Sequence, residues 1–172
     1  MSSGDAFRSG VRAAPPRPFA LLLACLLLAY AAEAIGAIAS LDAAAFYARL
    51  AQPVWAPPPW VFGPVWTLLY TLMAISLWRV WRAPRASKTP ITLFLVQLGV
   101  NAAWSWLFFR WHLGAAAFGW IVLLLALIVA TMSAFWRVNR AAALLLLPYL
   151  GWVAFATVLS FAIWRANPAV LG

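Results

Sequence analysis

Apolar residues run along this chain in five long blocks, at about 19 to 41, 62 to 81, 91 to 109, 113 to 135 and 141 to 164. Each block ends in a short polar or proline-rich break. At about 20 residues per crossing of a hydrocarbon layer, each block predicts one transmembrane helix. Such helices satisfy their own backbone in lipid. The pattern therefore predicts an all-α integral membrane protein, a five-transmembrane-helix bundle. The short breaks imply sequential up-down packing. Residues 1–18 form a basic N-terminal tail, 19–167 one membrane domain and 168–172 a C-terminal tail. Three arginines, the apolar run from Phe19 and the triplet Ala32-Glu33-Ala34 also resemble a cleavable signal peptide. Apolar character continues through Ile35, Ile38 and Leu41, past that triplet, which favours a retained first helix.

The first break differs in kind from the others. Gln52 to Tyr70 reads QPVWAPPPWVFGPVWTLLY, a proline-dense loop with two tryptophans that passes into an aromatic helix. Pro57, Pro58 and Pro59 each fix φ and remove a donor, so the segment before Trp60 is a stiff, extended cap. Pro64 fits a first helical turn. Phe62, Trp66, Tyr70 and Met73 then recur at three- and four-residue steps, which places them on one face. Flat π surfaces beneath a rigid loop predict a pocket for a large planar ligand.

Composition and charge sharpen this picture. Hydrophobic residues make up 67% of 172 positions and charged ones 9%, leaving no room for a soluble catalytic domain. The net charge of +9 reflects topology rather than nucleic-acid binding, because the basic residues flank the apolar blocks. Arg8, Arg12, Arg17, Arg79, Arg82, Arg85, Lys88, Arg137 and Arg140 fall on one side, and Arg49, Arg110 and Arg165 on the other. The positive-inside rule then puts the N-terminus in the cytoplasm and the Pro/Trp loop outside, as in a bacterial cell membrane. Cys25 is the single cysteine, which excludes a disulfide or a cysteine metal cluster within one chain.

Several side chains have two readings. Trp55, Trp60, Trp78, Trp81, Trp111, Trp136 and Trp164 lie near block ends, where indoles anchor any membrane protein. Trp66, Trp104, Trp106, Trp120 and Trp152 lie inside blocks, where the indole N–H needs a partner; Trp66, Trp104 and Trp152 are expected to line the pocket. Gln97, Asn101, Trp104 and Phe108 share one face of the third helix, as interhelical glue or as ligand contacts. Ala156 and Leu159 continue the Trp152 face. Glu33 is an acid well inside a block, a hydrogen-bonding group at a close helix contact or a proton relay. His112 reads as a loop residue rather than an axial haem ligand.

These residues carry a resemblance. The chain resembles the TspO/MBR family, the tryptophan-rich sensory and translocator proteins. The hallmark W-x-P-P-x-W-x-F/L-x-x-x-W-x-x-L-Y is met by Trp55, Pro57, Pro58, Trp60, Phe62, Trp66, Leu69 and Tyr70. Gln97, Leu98, Asn101, Trp104, Phe108 and Phe109 match the third-helix block. Pro148, Tyr149, Leu150, Trp152, Phe155, Leu159, Trp164, Arg165 and Asn167 match the fifth.

The resemblance implies a bundle, commonly dimeric, that binds protoporphyrin IX or haem near the first loop. The ligand-binding set is then Tyr47, Phe62, Trp66, Tyr70, Asn101, Trp104, Trp152, Ala156 and Leu159, capped by Trp55, Pro57, Pro58 and Trp60. No cofactor or metal is required. The expected role is sensing, buffering or transporting porphyrins rather than dedicated catalysis. The alternative is light-dependent porphyrin degradation through Tyr47, Trp66 and Trp152, or a small transporter or scaffold; inverted repeats typical of secondary transporters are lacking. Ser160 stands where relatives usually carry asparagine. Phe161 replaces a tyrosine of the sterol-type pattern, so sterol binding is not expected. Gly99 and Ala103 offer a small-residue dimer face.

Overall fold

The computed structural model describes residues 18–84 and 87–172. The basic tail with Arg8, Arg12 and Arg17, and the loop residue Arg85, lie outside the described residues. The helices are α1 (Pro18–Ala39), α2 (Ala43–Arg49), α3 (Phe62–Trp81), α4 (Lys88–Ser105), α5 (Gly114–Val138), α6 (Arg140–Leu145), α7 (Leu147–Ala166) and α8 (Pro168–Leu171). Among the described residues, five helical stretches are long and apolar enough to cross a membrane: Pro18–Ala39, Pro59–Trp81, Lys88–Arg110, Gly114–Val138 and Arg140–Ala166. Their outer faces carry exposed Leu23, Leu27, Ile38, Leu68, Val129 and Val158, a surface suited to lipid and not to water. The chain is an integral membrane protein built as a five-helix bundle.

Two spans are less regular than their hydropathy suggests. The third widens from α to π geometry at Trp106–Arg110, where Trp111 N–H donates to Trp106 O at 2.9 Å. A π turn admits an extra residue and rotates the chain beyond it. The fifth breaks at Leu146, between α6 and α7. Pro148 stands in the first turn of α7 and has no N–H to continue the α6 ladder.

Sequential packing, expected from the short loops, is not what the bundle does. The consecutive helices α3 and α4 touch little, and α1 lies against both of them. Around the bundle the main contacts then run from α4 to α5, from α5 to α7, and from α6 back to α3. Small residues explain the wedge. The buried face of α1 is Cys25, Ala29, Ala32, Gly36 and Ala39, and a Cβ on Gly36 would come within 3.3 Å of Ser105 Oγ. Small side chains let backbones approach where lipid supplies no hydrophobic drive between helices. Glu33 serves the same contact, its carboxylate accepting from Thr67 Oγ1 of α3 at 3.2 Å. One turn below, Tyr30 and Thr71 hydroxyls lie 2.8 Å apart.

The core is densest in the half of the bundle away from the proline loop. Met73, Ala74, Leu77 and Val80 of α3 are fully buried beside Phe94 of α4 and Phe135 of α5, whose rings stack at 5.9 Å. Ser76 Oγ donates to Ala142 O at 2.7 Å, tying α3 to α6. Arg79, Arg82, Lys88, Arg137 and Arg140 lie at this end, and Arg49, Arg110 and Arg165 at the end that carries the loop.

Candidate functional site

The loop between α1 and α3 folds down as a lid. α2 lies across the end of the bundle and buries Tyr47 and Leu50. The Tyr47 hydroxyl donates to Pro57 O at 3.4 Å, and Gln52 Nε2 donates to Tyr47 O. Pro58 is extended, with φ −65° and ψ 149°, so the prolines act as a strut. Phe46 stacks on His112 at 4.2 Å. His112 has a positive φ of 55°, which turns the chain between the π turn and α5 and presents the imidazole to Phe46. Burial raises the Tyr47 hydroxyl above the ordinary phenol value, because the charged form would lose its water.

Beneath the lid, aromatic rings make a continuous path. Tyr47 meets Phe62 at 5.6 Å, Phe62 meets Trp152 at 5.8 Å, and Trp152 meets Phe155 at 5.6 Å. Trp55 of the loop closes it, edge-on to Phe155 at 5.8 Å. Trp60 is three-quarters exposed, and Pro57 is more buried than Pro58. The rings pack on one another as a filled aromatic cluster.

The α3 stripe divides with depth. Phe62 belongs to the path under the lid. Trp66, one turn below, contacts Tyr70 at 5.6 Å and Tyr149 at 6.3 Å. Tyr70 and Met73 are buried in the core. Trp104 stands apart from Trp152: it stacks on Phe108 at 5.2 Å and donates its indole N–H to Ala117 O at 3.1 Å. Trp106 and Trp120 likewise spend their N–H groups on Ile35 O and Val100 O of neighbouring helices. Leu159 is buried with Tyr47, Leu50 and Phe108, and Ala156 packs at the edge of the main core.

The polar groups sort in the same way. Asn101 Nδ2 donates to the Tyr70 hydroxyl at 2.9 Å, and the Tyr149 hydroxyl donates to Gln97 Oε1 at 2.9 Å. Gln97 is thus glue between α4 and α7. Among the described residues, three buried polar atoms have no hydrogen-bond partner: Trp152 Nε1, Gln97 Nε2 and Ser160 Oγ. Among the described residues no three His, Cys, Asp or Glu side chains converge as a metal site. The assembly offers flat π surfaces and an unspent indole donor behind a proline-braced loop.

The family model of TspO/MBR matches residues 21–165, covering the lid, the aromatic path and all five spans. The chain belongs to the TspO/MBR family. It is 43% identical to the tryptophan-rich protein TspO of Chlorobaculum tepidum, over 72% of this chain and 80% of that protein. It is 40% identical to the translocator protein of Homo sapiens, over 71% and 75% of the two chains. With the tryptophan-rich sensory protein of Cereibacter sphaeroides it shares 34% identity over 87% and 92%.

Within this TspO/MBR bundle, the motif residues of the loop and of the fifth span meet in space. Sequence reasoning left Phe155 and Tyr149 outside the candidate set, although each is one turn from Trp152. Their helical spacing was the available signal. It also missed the hold of Asn167 on the lid, since an asparagine past a helix end has no marker of its distant partner.

Proposed function

We propose that the chain binds a tetrapyrrole, protoporphyrin IX or haem, under the first loop and senses, buffers or transports it. The observation that carries this reading is Trp152. Its ring lies between Phe62 and Phe155, and its buried N–H has no acceptor among the described residues. A buried unpaired donor costs about 1–3 kcal/mol, and a porphyrin carboxylate would accept from it while the macrocycle stacks on the rings. Because the rings pack on one another, binding requires the lid and Trp55 to move. Family membership supports a role in the membrane and adds no residue assignment.

The test is quenching of tryptophan fluorescence by protoporphyrin IX in the dark, with free tryptophan and an unrelated membrane protein as controls. Saturable quenching, weakened by both Trp66→Phe and Trp152→Phe, is the expected result. Nonsaturating quenching indifferent to both would mean partition into detergent.

The second reading, light-dependent porphyrin degradation, draws on the ring path from Tyr47 through Phe62 to Trp152. Trp66 joins a neighbouring ring set with Tyr70 and Tyr149. More than one turnover per protein under light, lost in Trp152→Phe with binding retained, would favour it.

The basic end of the bundle supports an N-terminus on the cytoplasmic side of a bacterial cell membrane, with the lid outside. Gly99, exposed on α4 with open space over its Cα, supports a homodimer through that face. Cross-linking of a cysteine at position 99 in native membranes, absent at an exposed α5 position, tests the interface.

A further inference from the structure

At the end of the bundle opposite the lid, a hollow of about 370 Å³ opens between the ends of α3 and α5. Its walls carry Trp78, Arg79 and Arg82 from one side and Val138 and Asn139 from the other. Ligand sites in proteins generally run from about 300 to 1,000 Å³.

The side chains of this hollow present mainly donors. Arg79 and Arg82 present guanidinium forks, which accept nothing. The Asn139 Oδ1 oxygen is taken up by Ala142 N–H at 3.0 Å, leaving the Nδ2 donor of the same amide. Trp78 spends its N–H on Pro18 O at 3.1 Å, so what it offers is its ring. Arg82 lies over that ring at 4.9 Å, which orders the guanidinium without consuming its N–H groups. Such a set matches an acceptor-only anion, and a planar fork fits two oxygens of a phosphate.

Charge favours the same ligand. The ends of α3 and α5 each contribute about half a negative charge. Two guanidiniums outweigh both helix ends. Glu33 and Asp42, the acids among the described residues, lie in the outer half of α1 and at the lid end. No carboxylate among the described residues therefore neutralises the hollow.

Depth identifies the source of the phosphate. Trp81 and Trp136, each about half exposed, flank this end of the bundle, and indoles of that kind settle at the headgroup level. The hollow then faces the layer of lipid phosphates, with the Trp78 ring and Val138 as apolar walls for the glycerol end of a chain. We propose that the hollow formed by Trp78, Arg79, Arg82 and Asn139 is a binding site for the phosphate of an anionic phospholipid.

The experiment is native mass spectrometry of the full chain, delipidated in detergent and titrated with phosphatidylglycerol or phosphatidylcholine. Wild type is expected to retain one phosphatidylglycerol about tenfold more tightly than phosphatidylcholine, because both offer the phosphate but the choline ammonium is repelled by the two guanidiniums. Arg79→Gln with Arg82→Gln should bring the two lipids level. Arg79→Lys with Arg82→Lys keeps the charge but loses the fork, and should weaken both lipids while keeping their order. Arg137→Gln with Arg140→Gln removes the same charge at the same end and should leave the preference in place. Equal loss in that control would replace a site with diffuse attraction and overturn the proposal. Displacement of the lipid by millimolar inorganic phosphate, but not by chloride at matched ionic strength, would overturn the lipid assignment in favour of free phosphate.

Discussion

Asn167 grips the backbone of Ala51 through both its N–H and its C=O. Its Oδ1 accepts from Ala51 N–H at 2.8 Å, and its Nδ2 donates to Ala51 O at 3.0 Å. The same Nδ2 also donates to Ile163 O at 2.8 Å, so the clasp is anchored to the last turn of α7. The lid is thereby fastened to the fifth span at the residue where α2 gives way to the proline loop. Asn167→Ala removes these bonds at a partly exposed site and should cost about 1–2 kcal/mol locally. Hydrogen exchange at the Ala51 amide should speed up by about tenfold while the α3 core stays protected. Unchanged exchange would mean that the prolines alone hold the lid.

The pair of Asn101 and Tyr70 makes the opposite case, a polar contact sealed in the core. Tyr70→Phe would leave Asn101 Nδ2 buried without its acceptor, and the expected loss is about 1–3 kcal/mol. Adding Asn101→Leu should recover part of that loss, because the stranded donor is gone. Thermal unfolding in one detergent across the three variants checks the order.

Glycines predict a contrast in tolerance. A Cβ at Gly114 would stand 2.6 Å from Leu171 O and would also meet the Trp164 ring, so α8 would have to shift. Gly114→Ala should therefore destabilise by about 1–3 kcal/mol. At Gly151, on the outer face of α7, nothing stands within 4 Å of the added carbon. Gly151→Ala should be neutral or gain up to about 1 kcal/mol from helix propensity. Thermal melts of the two variants decide the matter.

Tyr47 gives the lid a pH response. Burial raises its phenol above the ordinary value of about 10. In the unfolded chain the group ionises first, while the folded lid holds it neutral. Its contribution to stability is fully present below pH about 10 and is lost as pH rises through the folded value. The difference in melting temperature between wild type and Tyr47→Phe should be flat from pH 7 to about 9 and then move against the wild type. A difference constant to pH 11 would show that Tyr47 is wet.

The hydropathy blocks determined the class of this protein and the number of its spans, because a segment that must satisfy its backbone in lipid has little choice but a helix. The loop motif with Trp55, Pro57, Pro58 and Trp60 likewise announced a stiff cap, since proline restricts the chain locally whatever surrounds it. Local rules also placed Phe62, Trp66 and Tyr70 on one face of α3. They could not say what that face meets, which is set by side chains distant in sequence. Only the folded bundle put α1 between α3 and α4, a consequence of Gly36 and its alanine neighbours allowing a closer approach than loop length alone suggests. Only the bundle joined Phe62 to Trp152 and separated Trp104 from them, through the choice of Ala117 O as indole acceptor. The π turn at Trp106–Arg110 was decided in the same way, whereas the break at Leu146 follows from Pro148, which has no N–H to continue the α6 ladder.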